Sequence, residues 1–247
     1  MPKKNKIDLS FAVNLPPEKI ISYFKSKGYT FSFNWFEVWQ SAHHKAFTVA
    51  KAMNMDVLQS IRDVVDKAIS EGITFEQFQY ELEPTLKKLG WWGKQAMFDN
   101  EGNIIDVQLG SPKRLQTIYE TNLGVAYSVG RYQGMIENVD NRPYWQYVAV
   151  MDSNTRDSHR KLNGKVYPAD HPFWDTYYPP NDWGCRCHVR ALTKEQLKEK
   201  GLVVEKRMPN KENLPPDEWN YNPAKVNWGP DLSKYDKDIV AEYKKVT

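Results

Sequence analysis

Cysteine and histidine are the scarcest metal-binding and nucleophilic residues of this chain, and they are gathered together. Both cysteines, Cys185 and Cys187, and three of the five histidines fall between residues 152 and 188. A Cys-x-Cys pair on a β-strand places both sulfurs on one face and Arg186 on the other, with His188 pointing away from the pair. His159 lies three residues after Arg156 on a short predicted helix and would supply a third ligand. His171 or Asp170 would supply a fourth, giving a tetrahedral structural zinc site of the Cys₂His₂ kind. A single Cys-x-Cys carries less information than paired Cys-x-x-Cys knuckles, so two other readings stand beside this one. In the first, the cysteines are small apolar core residues while His159 and Arg156 satisfy carbonyls of a proline-rich loop. In the second, a thiolate next to an imidazole forms an activated nucleophile, and the chain is a cysteine- or zinc-dependent hydrolase using His159, Cys185 and Cys187. That second reading lacks a glycine-rich oxyanion turn and a third orienting residue.

The remaining residues offer less chemistry. A disulfide between cysteines one residue apart does not meet bridge geometry well, so reduced or metal-bound thiols are expected. His43 and His44 are neighbours on a predicted helix, about 100° apart, and read as a surface or hinge pair rather than a chelate. There is no Walker loop, His-Glu-x-x-His or dinucleotide fingerprint.

The elements that must position the cluster are two strands and a helix. Trp145–Val150 and Cys185–Leu192 are β-branched and aromatic. Thr155–Leu162 reads as a short helix closed by the Asn163-Gly164 turn, and residues 167–184 as a proline-rich, aromatic loop. Ahead of them the periodicity is helical. Leu15-Pro16-Pro17 and Gly28 frame one helix, and Phe36, Trp39, Phe47 and Ala50 mark a second over Asn34–Met53. Asp56 caps a third that Gly72 closes, and Thr74 with Gln77 forms a capping box for a fourth, which Pro84 should bend or interrupt. Ser111-Pro112 starts a long helix to about Met135. Residues 94–110, with Asp99, Asn100, Gly102, Asn103 and Gly110, read as a turn-rich connection and the best boundary. A short helix after Thr193 and a further strand over Leu202–Glu205 would complete the sheet. Beyond residue 207, five prolines with scattered Trp219, Tyr221 and Trp228 suit an extended arm that packs on a neighbour.

The expected fold is therefore α+β. A helical domain spans residues 1–110, a small α+β domain with the His/Cys cluster and a short sheet spans 111–200, and an extended aromatic arm spans 201–247. With 40% hydrophobic and 13% aromatic residues the chain is too apolar for disorder. No apolar run is long enough for a membrane span, and none resembles a secretion signal near the N-terminus, so a cytoplasmic setting is expected. The 34 basic and 31 acidic residues are well mixed, for a net charge of +3. That balance predicts no strong nucleic-acid binding.

Arg156-Asp157-Ser158-His159 with Leu162-Asn163-Gly164, Pro179-Pro180 and Gly184-Cys185-Arg186-Cys187 resembles the signature of the phage Mu F-like head-morphogenesis proteins. The resemblance extends through Leu15-Pro16-Pro17, Lys27-Gly28, Ala46–Ala50, Gly90-Trp91-Trp92-Gly93 and Ile118–Asn122, covering most of residues 12–190. Asn220-Tyr221-Asn222-Pro223 is similar to a motif that often follows the Cys-x-Cys strand. The resemblance implies a non-enzymatic minor head protein, present in a few copies at the portal vertex of the virion and in the host cytoplasm during assembly. Its implied partners are the portal protein and other head proteins, with an influence on DNA packaging or ejection. A weak contact with packaged DNA is the lesser expectation. The matching Arg156, His159, Cys185 and Cys187 carry over as signature positions without an assigned chemical role.

Overall fold

Proline at the first position and glycine just past the end delimit the first helix as expected. In the computed structural model, which describes residues 17–29, 46–98, 101–210 and 214–225, α1 spans Pro17–Ser26. A two-residue strand β1 (Gly28–Tyr29) follows and pairs in parallel with β2 (Ala46–Phe47). The second expected helix lies largely outside the described residues, together with Phe36, Trp39, His43 and His44. Its expected end is corrected, because residues 46–53 are not helical and Lys51 takes a left-handed φ of 63°.

The two most periodic helices form as read. The first is α2 (Met55–Glu71), which buries Val57, Leu58, Ile61, Val65, Ala68 and Ile69. Its cap is Asn54 rather than Asp56: the Asn54 side chain accepts the N–H groups of Asp56 and Val57, and Asp56 sits in the first turn. Gly72 closes the helix at φ 70°. The next, α3 (Phe75–Lys88), carries the Thr74/Gln77 capping box. It runs through Pro84 without ending, so of the two expected effects, a bend or an interruption, the interruption does not occur. Pro84 and Tyr80 are both exposed, so the Tyr80 carbonyl that loses its partner faces water.

The turn-rich stretch after Gly93 is a hairpin of β3 (Lys94–Phe98) and β4 (Ile104–Gln108), paired antiparallel from Lys94↔Gln108 to Phe98↔Ile104. Met97, Ile105 and Val107 turn inward, which is the period-two signal the turn residues obscured. Gly110 allows close approach at the hairpin base: a Cβ there would lie 2.5 Å from the Trp91 carbonyl oxygen.

Helix α4 (Pro112–Glu137), capped by Ser111, joins the two main cores. Its first part places Leu115, Ile118, Leu123, Ala126 and Val129 among α1, α2 and α3. At Gly130 the packing on α1 is so close that a Cβ would lie 2.6 Å from Ile20 Cγ1. Its last turns carry Tyr132 and Met135 into an aromatic core beside the sheet.

That sheet has the order β6-β5-β7, all antiparallel: β5 (Tyr144–Val148) at the centre, β6 (Val166–Pro168) on one side and β7 (His188–Leu192) on the other. Between them run α5 (Asp157–Leu162) and the single-turn α6 (Phe173–Thr176), and α7 (Lys194–Glu199) follows with a Thr193/Gln196 capping box. One face of β5 buries Trp145 and Tyr147 against Phe173, Trp174 and Tyr178. Tyr132 meets Trp145 and Tyr178 edge-on, at 5.4 and 5.1 Å between ring centres. Residues 202–205 add only a single parallel bridge, Val166↔Val204.

Candidate metal centre

Each member of the cluster is positioned by a different piece of local chemistry. The segment ahead of α5 is wound into a turn: the Asp152 carboxylate accepts the Asn154 N–H at 3.0 Å, and the Thr155 hydroxyl donates to the Val150 carbonyl. Arg160 ties this turn to the helix by donating to the carbonyls of Asp152 and Thr155. The Asn163 side chain accepts the Ala149 N–H at 2.9 Å, and Gly164, at φ 82°, donates to the Tyr147 carbonyl. These bonds hold α5 against the end of β5. His159 faces inward from it and is 5% exposed.

The cysteines lie just before β7 rather than on it, since the strand begins at His188, opposite Val148. Cys185 N–H donates to the Asp182 carbonyl at 3.1 Å, which closes a tight turn over Trp183 and Gly184. The alternation expected of a strand nonetheless holds. Cys185 Sγ is 3.8 Å and Cys187 Sγ 3.5 Å from the same atom, His159 Nδ1, while Arg186 turns to make a two-pronged pair with Asp152, both contacts at 2.6 Å. All three potential ligand atoms lie within 4.8 Å of one another.

A second ion pair flanks the first. Arg156 Nε is 2.9 Å from Asp182, and its Nη2 donates to the Trp183 carbonyl. The two guanidiniums thus pin the turn before α5 to the turn before Cys185 from opposite directions. They also line a crevice of about 430 Å³ facing Gln116 and Glu120 of α4. Because each guanidinium is engaged by a carboxylate, they act there as internal pins.

The electrostatics couple the two thiols. Cys185 is held well below the usual thiol range by the hydrogen bond from Cys187, helped by His159 and by the Asn181 backbone N–H. Cys187 is pushed up, first by its bond to Cys185 and then by burial. Tyr147 completes the surroundings. Its hydroxyl lies within reach of Cys187 Sγ and 3.0 Å from Asn181 Oδ1, and burial raises its pKa.

Of the residues singled out from the sequence, His159, Cys185 and Cys187 are brought together. His171 is not among them: its Nδ1 accepts the Phe173 N–H at 3.1 Å and its ring lies 4.7 Å from that of Tyr167. Asp170 is exposed and also stands outside the group. Arg156 reaches a carbonyl of the proline-rich loop, as one reading required, while His159 faces the sulfurs. Tyr147, Asn181 and the Asp152–Arg186 pair were missed. Alternation along β5 could have placed Tyr147 on the Trp145 face, whereas nothing in the sequence links Asp152 with Arg186.

The site falls within the part of the chain that known proteins share. The family model described as Phage Mu protein F like protein matches residues 59–190, which include all three cluster residues. The chain is 53% identical over 204 residues to a protein of Escherichia phage Mu named "Putative capsid assembly protein F", covering 83% of this chain and 46% of that protein. It is likewise 53% identical over 173 residues to the Mu-like prophage FluMu F protein of Haemophilus influenzae, covering 70% of this chain and 41% of that protein. The chain thus spans less than half the length of these relatives. No solved structure matches.

Proposed function

This chain belongs to the phage Mu protein F-like family, and from that premise we propose that it is a minor head protein that acts in phage head morphogenesis at the portal vertex. The observation that carries the reading is the 53% identity to a protein named for capsid assembly, sustained over 83% of this chain. Its partners on this reading are the portal protein and other head proteins, and its place is the head of the virion, reached from the host cytoplasm during assembly. A part in DNA packaging or ejection would follow from that position. The mixed charge, 34 basic against 31 acidic residues, fits protein contacts better than a DNA groove, so any touch on packaged DNA is weak.

Several features of the chain suit such a role. No described helix is long and apolar enough to cross a membrane. The cluster residues are half-buried or buried and are enclosed by ion pairs that fix loop geometry, which suits a part that presents rigid surfaces to other subunits. A hydrolase would instead need an accessible thiolate with an orienting third group, and His159, at 5% exposure with both sulfurs on its Nδ1, offers little room for a substrate.

Co-expression with the portal protein of the same phage tests the reading. The two are expected to co-purify, and removal of this chain is expected to stop the formation of infectious heads. Normal head yield and infectivity without the chain, together with no association with portal, would refute it.

A further inference from the structure

We propose that His159, Cys185 and Cys187 bind a zinc ion through Nδ1 and two thiolates, so that the metal fastens the 181–187 loop to α5 as an internal clasp. Tetrahedral zinc with sulfur ligands at about 2.3 Å and a nitrogen at about 2.0–2.1 Å separates sulfur from nitrogen by roughly 3.6 Å. The two sulfur-to-Nδ1 distances, 3.5 and 3.8 Å, bracket that value. The two sulfurs lie within 4.8 Å of each other, against roughly 3.8 Å on a tetrahedral zinc, so binding would require at most a small approach of the two thiols.

A hydrogen-bonded triad explains the arrangement less well. Nδ1 is one atom with one lone pair or one proton, so it satisfies at most one of the two sulfurs that approach it. Thiols are weak donors and acceptors, which gives a buried imidazole little reason to face two of them. A cation at the centre engages all three groups at once.

The donor set points to the metal. Two sulfurs and an imidazole suit zinc, whereas magnesium and calcium require oxygen ligands. Two thiolates neutralise the dication, so no net charge is left in a half-buried site, and any protons the sulfurs carry leave to solvent on binding. The Asn181 backbone N–H favours the Cys185 thiolate, as donors around a bound thiolate do. The Arg186–Asp152 and Arg156–Asp182 pairs draw the two ligand-bearing turns together, which lowers the ordering cost of forming the site. Among the described residues no fourth His, Cys, Asp or Glu joins the group, and a solvent molecule closes the four-coordinate shell.

The test is zinc analysis and zinc K-edge X-ray absorption on the full chain purified without chelator. The expected result is about one zinc per chain, with two sulfurs at about 2.3 Å and two lighter atoms at about 2.0–2.1 Å. Cobalt exchanged into the same chain should give the visible bands of tetrahedral thiolate coordination. His159→Ala should weaken zinc binding by at least about tenfold, while His171→Ala should leave it unchanged. Folded chain that neither carries nor takes up zinc, a shell of nitrogen and oxygen alone, or unaltered affinity in His159→Ala would each overturn the proposal. The absorption measurement on unaltered protein decides it even if a variant fails to fold.

Discussion

Asp152 shows how one side chain can serve two loops. Its carboxylate accepts both arms of Arg186, with further bonds from Thr155 and Asn154, and these contacts, the Arg186 bond foremost, hold its pKa well below the usual carboxylate range. A depressed folded-state pKa contributes stability that is present above the unfolded value, about 3.9 for Asp, and is lost as pH falls toward the folded one. Asp152→Asn should therefore destabilise the protein at neutral pH and blunt its loss of stability below about pH 4, as read from urea midpoints across pH. Lys27 has the opposite sign. It is buried over the Tyr23 ring, and burial, aided by Arg62, lowers its pKa from 10.5 to about 8. The folded state resists protonation, so the cost of burying the ammonium is full below pH 8 and fades as pH rises toward 10.5. Lys27→Met should raise stability at pH 7 by up to ~3 kcal/mol, from roughly 1.4 kcal/mol per pKa unit, and the gain should shrink by pH 10.5. In the sequence Lys27 stands out only as part of the Lys27-Gly28 pair, because burial of a lysine leaves no local signature.

Helices were the most legible elements, because their signals are local. The Thr74 cap, the Gly72 stop and the six buried apolar residues of α2 can all be read within one window of sequence, although the α2 cap falls on Asn54 and not on Asp56. The β3–β4 hairpin could not, since its strands are short and only Met97, Ile105 and Val107 face the core. The cluster was legible for the same reason as the helices: rare residue types at short spacing on neighbouring elements. Spacing alone admits His171 as a ligand, but its ring accepts the Phe173 N–H instead, through a loop geometry that spacing does not reveal. Close packing is also invisible to pattern. Gly130→Val should force Ile20 away from α4 and cost about 1–3 kcal/mol, measured by denaturant unfolding. A change outside this contact, such as Tyr80→Ala on the exposed face of α3, should stay within about 0.5 kcal/mol in the same assay.

The arm links the parts of the molecule. Its composition suggested an extended segment covered by a neighbour, and for residues 214–225 that neighbour is the chain itself. Trp219 is 3% exposed and meets Trp183 edge-on at 5.2 Å, beside the loop that carries the cysteines. The Asn222 amide donates to the Trp174 carbonyl, Lys225 pairs with Asp175 at 2.5 Å, and Ala224 touches both the helical and the aromatic core. Tyr221 is buried near Tyr23 of α1, whose pKa is raised by its own burial and, to a lesser degree, by Tyr221. Trp219→Ala should consequently cost about 3–5 kcal/mol and speed proteolysis of the 181–187 loop as well as of the arm.

On the proposed reading, the surfaces of this chain are used in building phage heads. Sedimentation of proheads from cells producing the particles, followed by detection of this chain across the gradient, tests that claim most directly. The account predicts that the chain travels with portal-containing proheads, in far fewer copies than the major shell protein. Its persistence in the slow-sedimenting fraction at every stage, with none in proheads or virions, would contradict it.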